Sequence, residues 1–335
     1  MTQKYERVAS EDALDEEVLD CNAFDGSGLT PLHRACMDEP WRIDEILSTS
    51  GVIVNLKSAT GQTALHYACK YQPICVPSLL ASPGIEVNLR DVDQNTPLHY
   101  AIKHCYALVP ILLMAGADPK LKDSIGRNAL VLSIYHHSII DGLIDLVDLH
   151  DTDNDGFTAL HYAVQHTAAH VPVLLRRGAN VNAKTKTGCT ALHMSSMHGS
   201  TLAIKMVLEH GGCDVNVQNK DGRTPLHYAA SANIAAIPML VKAGAELEVR
   251  DTAGATPLLM AANSSNGNAI DAFELLVRLG ADPNAQDLKG RTALHLVCPC
   301  DFDRYNRIAI HTDRRIKTKI GRSGNHCMLS YWTKC

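Results

Sequence analysis

The chain is 335 residues long with a formal charge of −5; 46% of it is hydrophobic but only 5% is aromatic, which describes a folded protein with an aliphatic core. Its longest nearly apolar run, Tyr106 to Ala117, contains Pro110 and is shorter than the roughly 18 to 20 residues a bilayer crossing takes, so no membrane insertion is expected. The acidic start, MTQKYERVASEDALDEEVLD, does not fit a secretory signal, so the 11 cysteines are expected as reduced thiols in the cytosol or nucleus, and the negative charge argues against nucleic acid as a partner.

Residues 1–24 form an acidic segment in which seven Asp or Glu residues face Lys4 and Arg7. From there a block of the form Thr-Pro/Ala-Leu-His, with small variations, begins at Thr30, Thr63, Thr96, Asn128, Thr158, Thr190, Thr224, Thr256 and Thr292, at intervals of 30 to 36 residues. Two positions ahead of it stands glycine in eight of nine copies, with Gln94 the exception. Asp25, Asp91, Asp123, Asp153, Asp251 and Asp287 open the turn that leads into the block.

Each part of the block has a physical reason. Thr is a good helix N-cap, Pro suits the first helical position because its missing N–H would be unsatisfied there, and the His three residues after Thr can reach back as a capping-box partner. His33, His66, His99, His161, His193, His227 and His295 are therefore expected to be structural. A second apolar segment follows and ends at Gly116, Gly178, Gly244 or Gly280, placed to stop a helix in the left-handed conformation. Each copy thus predicts a turn and two short antiparallel helices.

Four copies place a β-branched residue and a proline at the start of the second helix: Val76-Pro77, Val109-Pro110, Val171-Pro172 and Ile237-Pro238. Proline disfavours helical backbone in the residue before it, so these helices are expected to begin near the prolines and to be about a turn short. Helices this short are marginal alone and must be stabilised by stacking.

A period near 33 residues with T-P-L-H-x-A resembles the ankyrin-repeat family over about residues 25–298. The resemblance implies an all-α ankyrin-repeat solenoid of about eight complete helix-turn-helix repeats plus a truncated ninth, with a continuous core and a concave face. It implies a non-catalytic, monomeric scaffold or adaptor, without cofactor or metal, that binds a partner protein through the concave face and the turn tips. Two alternatives are an inhibitor-type regulator of a transcription factor, suggested by a loose likeness to the inhibitor-of-NF-κB group, and a targeting fragment of a larger multidomain enzyme.

Mapped onto this sequence, the partner-binding positions are Asp93, Asn95, Arg127, Asp155, Phe157, Lys186, Lys220, Asp221 and Arg223 around the turns, with Lys70, Tyr71, Lys103 and Tyr135 at the ends of first helices. Phe157 is expected at a tip, either exposed as a contact residue or packed against the adjacent turn. His104, His136, His166 and His198 recur eight residues after the capping position and are expected to form a ladder, its members about 9 Å apart, too far for a shared metal. Tyr67, Tyr100, Tyr162 and Tyr228 are expected to be core or half-buried. Asn88 and Asn216 stand in a context resembling that of hydroxylated ankyrin asparagines, beside a structural role in the connecting loop.

Other patterns point less far. Asp151, Asp153, Asp155 and Gly156 fit the first half of a calcium loop, but its last position is Tyr162. With Asp141, Asp145 and Asp148 they make an acidic stretch without a basic neighbour in sequence, expected to be solvated or to meet a basic partner. Cys298, Cys300, His311, His326 and Cys327 match no regular zinc spacing. There is no phosphate-binding glycine loop, and no catalysis is expected. Residues 299–335 form a basic tail without the ankyrin pattern; repeat 9 is expected to stop before a second helix, with low order from about residue 303.

Overall fold

The computed structural model describes residues 20–136, 142–198, 200–297 and 302–312. Among them the regular structure is helical, without a strand. The chain divides into two compact units, residues 1–100 and 101–335, and the division falls within the helix Pro97–His104.

Among the described residues each of the nine blocks forms a first helix: Pro31–Met37, Ala64–Lys70, Pro97–His104, Ala129–Tyr135, Ala159–His166, Ala191–His198, Pro225–Ala232, Pro257–Asn263 and Ala293–Leu296. Each starts at the residue after the capping position. Full capping boxes join Thr30 to His33, Thr63 to His66, Thr158 to His161, Thr224 to His227 and Thr292 to His295. Thr96 and Thr190 likewise donate their amides to Nδ1 of His99 and His193. A lost cap of this kind costs about 1 kcal/mol.

The histidines also tie repeats together. Nε2 of His33 donates to the Gln62 carbonyl at 3.0 Å and that of His66 to Asn95 at 3.1 Å in the first unit. In the second, His161 reaches Cys189 at 3.2 Å, His193 reaches Arg223 at 3.0 Å and His227 reaches Ala255 at 3.1 Å. A carbonyl only accepts, so Nε2 carries the hydrogen and Nδ1 is the acceptor for the Thr amide.

The leucine of every block is at most 2% exposed, from Leu32 through Leu130 and Leu160 to Leu294. Second-helix residues such as Leu79, Leu112, Leu174, Leu240 and Leu276 are fully buried as well. Full burial stabilises by about 1.5–3 kcal/mol per side chain, which is what neither short helix obtains alone. Within the second unit the first helices of repeats 4 to 9 pack against one another in chain order.

The second helices that begin at the Val-Pro and Ile-Pro pairs are short, although Ile43–Ser48, which has no proline, is also six residues long. Val76–Leu80, Val109–Met114, Val171–Arg176 and Ile237–Lys242 have five or six residues, whereas the proline-free Thr201–His210 and Ala269–Arg278 have ten. A 3₁₀ turn replaces the missing turn in each proline case. The residue before the proline is nevertheless helical, with Val109 at φ −55 and ψ −51. Proline in the first turn leaves its missing N–H where no partner is needed.

Two expectations about the repeat ends change. The second segment of repeat 4 has no helix among the described residues, since 142–147 form turns and 137–141, including Asp141, lie outside them. Repeat 9 does have a second helix, Phe302–His311, so the truncation and the low order from residue 303 do not hold there. Tyr305, Ile308 and Ala309 of this helix are buried. Arg307 pairs with Glu274 at 2.8 Å and Asp271 at 2.7 Å, and Arg304 donates to the Ala262 carbonyl at 2.8 Å. The rest of the basic tail from residue 313, and most of the acidic segment 1–24, lie outside the described residues.

Candidate protein-interaction surface

The turn ahead of most first helices is held by one side chain. Asp153 Oδ1 accepts the amides of Asp155 at 2.9 Å and Phe157 at 2.8 Å, while Oδ2 accepts the Tyr162 hydroxyl at 2.6 Å. Burial, then the bond to Asp153, pushes the Tyr162 phenol well above its ordinary range. Asp91, Asp123, Asp251 and Asp287 hold their turns in the same way, and Asn219 takes the role in repeat 7. Asp151, the first residue of the apparent calcium loop, pairs with Lys122 at 3.5 Å, so two of its three acidic side chains have protein partners. Among the described residues no three His, Cys, Asp or Glu converge as metal ligands.

Successive tips are joined along their backbones in the second unit. Lys186 donates to Asp155 at 2.8 Å, Lys220 to Thr187 at 2.9 Å and Thr252 to Asp221 at 2.8 Å. Gly156 has φ +82, and a Cβ there would lie 2.8 Å from the Lys186 nitrogen, so glycine is needed for both the turn and the close approach. Gln94 adopts the same left-handed conformation with φ 62, the one non-glycine to do so among the described residues. These bonds fix the register of the tip side chains.

The residues mapped as partner-binding then divide. Asp93, Asp155, Lys186, Lys220 and Asp221 are exposed, whereas Asn95 is buried. Arg127 is half-buried; it pairs with Asp123 at 2.8 Å and lies over the Tyr135 ring at 5.3 Å. Arg223 approaches Asp251 of the next repeat at 3.4 Å. Phe157 is half-buried rather than exposed, its ring packed against His161 at 5.7 Å and Tyr162 at 5.8 Å. Its tip position is thus a packing position. In the first unit Tyr71 is 44% exposed, with the Lys70 ammonium 4.7 Å from its ring centroid.

His104, His136, His166 and His198 are all exposed at the ends of their first helices. Tyr135, 41% exposed, stands between two of them, edge-on to His136 at 5.1 Å and His166 at 4.9 Å. Tyr162 stacks on His166 at 6.2 Å, and Gln165 Nε2 lies 2.8 Å from His198 Nε2. The histidines of repeats 4 to 6 therefore belong to one strip in which other side chains fill the intervals. Tyr67 and Tyr100 are buried and Tyr162 and Tyr228 half-buried, as expected.

Asn216 has a structural role, because its side-chain amide donates to Gly244 at 3.0 Å and accepts from Glu246 at 2.9 Å. Asn55 and Asn182 make the same pair of bonds. Asn88 is exposed. The acidic stretch does have a basic neighbour, because Asp145 pairs with Arg177 of the following repeat; a period of about 32 residues, not local sequence, brings them together. Cys298, Cys300, His326 and Cys327 lie outside the described residues.

The exposed side chains outside the mapped positions include two on 3₁₀ turns of the first unit. Trp41 and Ile74 are 75% and 76% exposed on the 3₁₀ turns Pro40–Arg42 and Pro73–Cys75. The available signal was a large apolar residue directly after proline, in a link too short to bury it.

Short paired helices, capped by a repeated Thr and His and joined tip to tip, define a tandem-repeat recognition module. Models of ankyrin repeats match residues 39–123, 105–185 and 169–251, and a single ankyrin repeat matches residues 253–288. The chain belongs to the ankyrin-repeat family, whose repeats serve as protein-interaction modules. It is 30% identical over 187 residues to the nuclear factor NF-kappa-B p105 subunit of Gallus gallus, covering 52% of this chain and 16% of that protein. Inversin of Homo sapiens is 31% identical over 185 residues, 52% of this chain and 17% of inversin. The B-cell lymphoma 3 protein homolog of Mus musculus is 32% identical over 156 residues, 44% of this chain and 35% of that protein. The chain thus spans about a third or less of the length of these relatives. No helix among the described residues is long and apolar enough to cross a membrane.

Proposed function

We propose that this chain is a non-catalytic scaffold or adaptor that docks a partner protein on the ends of its first helices and on the adjoining turn tips. The reading is carried by one observation: four consecutive repeats expose His104, His136, His166 and His198 at the same position, with Tyr135 among them. Rigid tips joined by backbone bonds present Asp155, Lys186 and Lys220 beside that strip. A surface already ordered before binding loses little entropy on association. We place the protein in the cytosol or nucleus and expect a monomer. Affinity capture with mass spectrometry tests the reading. Partners recovered with the native chain should be lost when His136, His166, His198 and Tyr135 are replaced by Ala; undiminished capture would refute it.

The relatives named a nuclear factor subunit and a lymphoma 3 protein homolog favour a second reading, regulation of a transcription factor. Asp25 to Gly28 do not present the Asp-Ser-Gly order of the inhibitor group, and Asp25 instead caps its own turn through Ser27 and Leu29. Recovery of a DNA-binding protein in the same capture experiment would select this reading. A third reading, part of a larger enzyme, is motivated by local similarity to a palmitoyltransferase and an E3 ubiquitin-protein ligase, of which the chain covers 14% and 7%. The full-length transcript decides it.

A further inference from the structure

We infer that the links joining the two helices of repeats 1 and 2 form a second docking surface, which receives an apolar segment of a partner protein flanked by lysine or arginine. Its centre is the second residue of the 3₁₀ turn, eleven positions after the capping residue. Five repeats have this turn among the described residues, and the position is exposed in each: Trp41, Ile74, Ala107, Ala169 and Ala235. The three alanines mean that the turn forms without a large side chain there. Repeats 1 and 2 nevertheless carry Trp and Ile, 75% and 76% exposed.

A lone exposed apolar residue is ordinary, but a matched pair on adjoining repeats makes a patch. The first helices of repeats 1 and 2 pack against each other, as do their second helices. The two links therefore lie side by side, at the roughly 8–10 Å spacing of packed helices. Tyr71, 44% exposed, follows the first helix of repeat 2 and stands three residues before Ile74. Trp, Tyr and Arg are the residue types that most often carry binding energy at protein interfaces, and these two links hold Trp41, Arg42 and Tyr71.

Charge selects the occupant. Around Trp41 the sequence sets Asp38, Glu39, Asp44 and Glu45 against Arg42. Arg42 is bound to Glu39 at 2.7 Å, and Asp38 reaches Arg34 at 3.7 Å. Asp44 and Glu45 are exposed and form no ion pair among the described residues. Asp44 accepts the Ser78 hydroxyl at 2.9 Å, which sets its carboxylate between the second helices of the two repeats. The cation of the second link, Lys70, lies 4.7 Å from the Tyr71 ring centroid. Like charge makes the acidic segment 1–24 a poor cover for this patch. A partner residue of large apolar bulk can rest on Trp41 and Ile74 while a neighbouring Lys or Arg meets Asp44 and Glu45. The apolar pair supplies contact area, and the exposed acids act on encounter and specificity.

The test uses the full chain with Trp332→Phe, which leaves Trp41 as its one tryptophan, and a peptide of Leu and Lys patterned as an amphipathic helix. Anisotropy of the fluorescein-labelled peptide reads binding, and acrylamide quenching with unlabelled peptide reads the cover over Trp41. Versions with Glu for Lys, or Ser for Leu, serve as controls. The Leu-Lys peptide is expected to bind about tenfold more tightly than either control, to weaken as salt rises and to shield Trp41. Trp41→Ala with Ile74→Ala installs the residue that later repeats carry, so binding should fall about tenfold with an unchanged melting curve. Asp44→Asn with Glu45→Gln should weaken binding about threefold and flatten its salt dependence. Replacing Tyr135, His136, His166 and His198 by Ala should leave it intact, which separates this surface from the histidine strip. Binding that survives the double alanine variant, or equal binding of the Glu peptide, would overturn the inference. So would a Trp41 already shielded in the free chain, since the chain would then cover the patch itself. A concentration-dependent dimer lost in the double alanine variant would overturn it in favour of a second copy.

Discussion

His161 links two repeats through one ring: its Nδ1 accepts the Thr158 amide at 3.1 Å and its Nε2 donates to the Cys189 carbonyl at 3.2 Å. Protonation of Nδ1 would turn the acceptor into a donor facing another donor, and it would place a charge in a buried site. Burial accordingly holds His66, His161 and His193 at a pKa of about 4, well below the ordinary value near 6.5, and lowers His33 and His227 in the same direction.

The unfolded chain therefore binds more protons than the folded one between about pH 6.5 and pH 4. The stability these histidines contribute is fully present above pH 6.5 and is lost as pH falls through that window, by up to about 1.4 kcal/mol per pH unit for each. Urea unfolding from pH 7.5 down to 4.5 should show midpoints falling below pH 6.5. His161→Gln should be less stable at pH 7.5 and less sensitive to acid. A flat profile between pH 6.5 and 4.5 would contradict the assigned tautomers.

The turn residues give opposite predictions at equivalent positions. Gly156→Ala must hold a left-handed φ of +82 with its methyl 2.8 Å from the Lys186 nitrogen, and should cost at least 1–2 kcal/mol. Gln94→Gly removes a side chain already held at φ 62 and should stabilise by about 0.5–1 kcal/mol. Thermal or urea denaturation of the two variants checks both signs; a stabilised Gly156→Ala would contradict the packing at that tip.

Repeat 9 should behave as a packed repeat. Ile308 is fully buried, so Ile308→Ala should cost about 2–4 kcal/mol. Arg307→Ala breaks pairs to the half-buried Glu274 and the exposed Asp271 and should cost about 1 kcal/mol. Hydrogen exchange that is fast throughout 302–311 in the native chain would argue against this helix.

Arg127 separates stability from recognition. Its partner Asp123 keeps only 3% of its side chain exposed, so Arg127→Ala leaves a nearly buried carboxylate with two backbone amides and no cation. A loss of about 1–3 kcal/mol is expected. Arg127→Lys should retain part of that loss, because it gives up the fork geometry and the packing over Tyr135. Unfolding curves for both variants, set beside partner capture at a temperature where they stay folded, should show a stability effect that is larger than any binding effect.

Much of the fold could be read from the sequence because it is written nine times. Thr, His and Leu sit at fixed offsets, and a cap, a tautomer and a core position follow from local chemistry repeated in register. The helix Phe302–His311 was missed for the converse reason. It carries no consensus and its basic residues suggested a solvated tail, although Tyr305, Ile308, Ala309 and Thr312 already have the i, i+3, i+4, i+7 spacing of a buried face.

Sequence alone determined the repeat, the capping chemistry and the positions of the four exposed histidines, because each depends on neighbours within a few residues. Tertiary structure decided whether a tip residue faces solvent or a neighbouring ring. Phe157 turned inward onto His161 and Tyr162, Arg127 settled between Asp123 and Tyr135, and Asp145 found Arg177. The first two contacts join residues four to eight apart and depend on how the turn and the first helix fold against each other, whereas Asp145 and Arg177 are 32 residues apart, a distance at which local pattern carries no information.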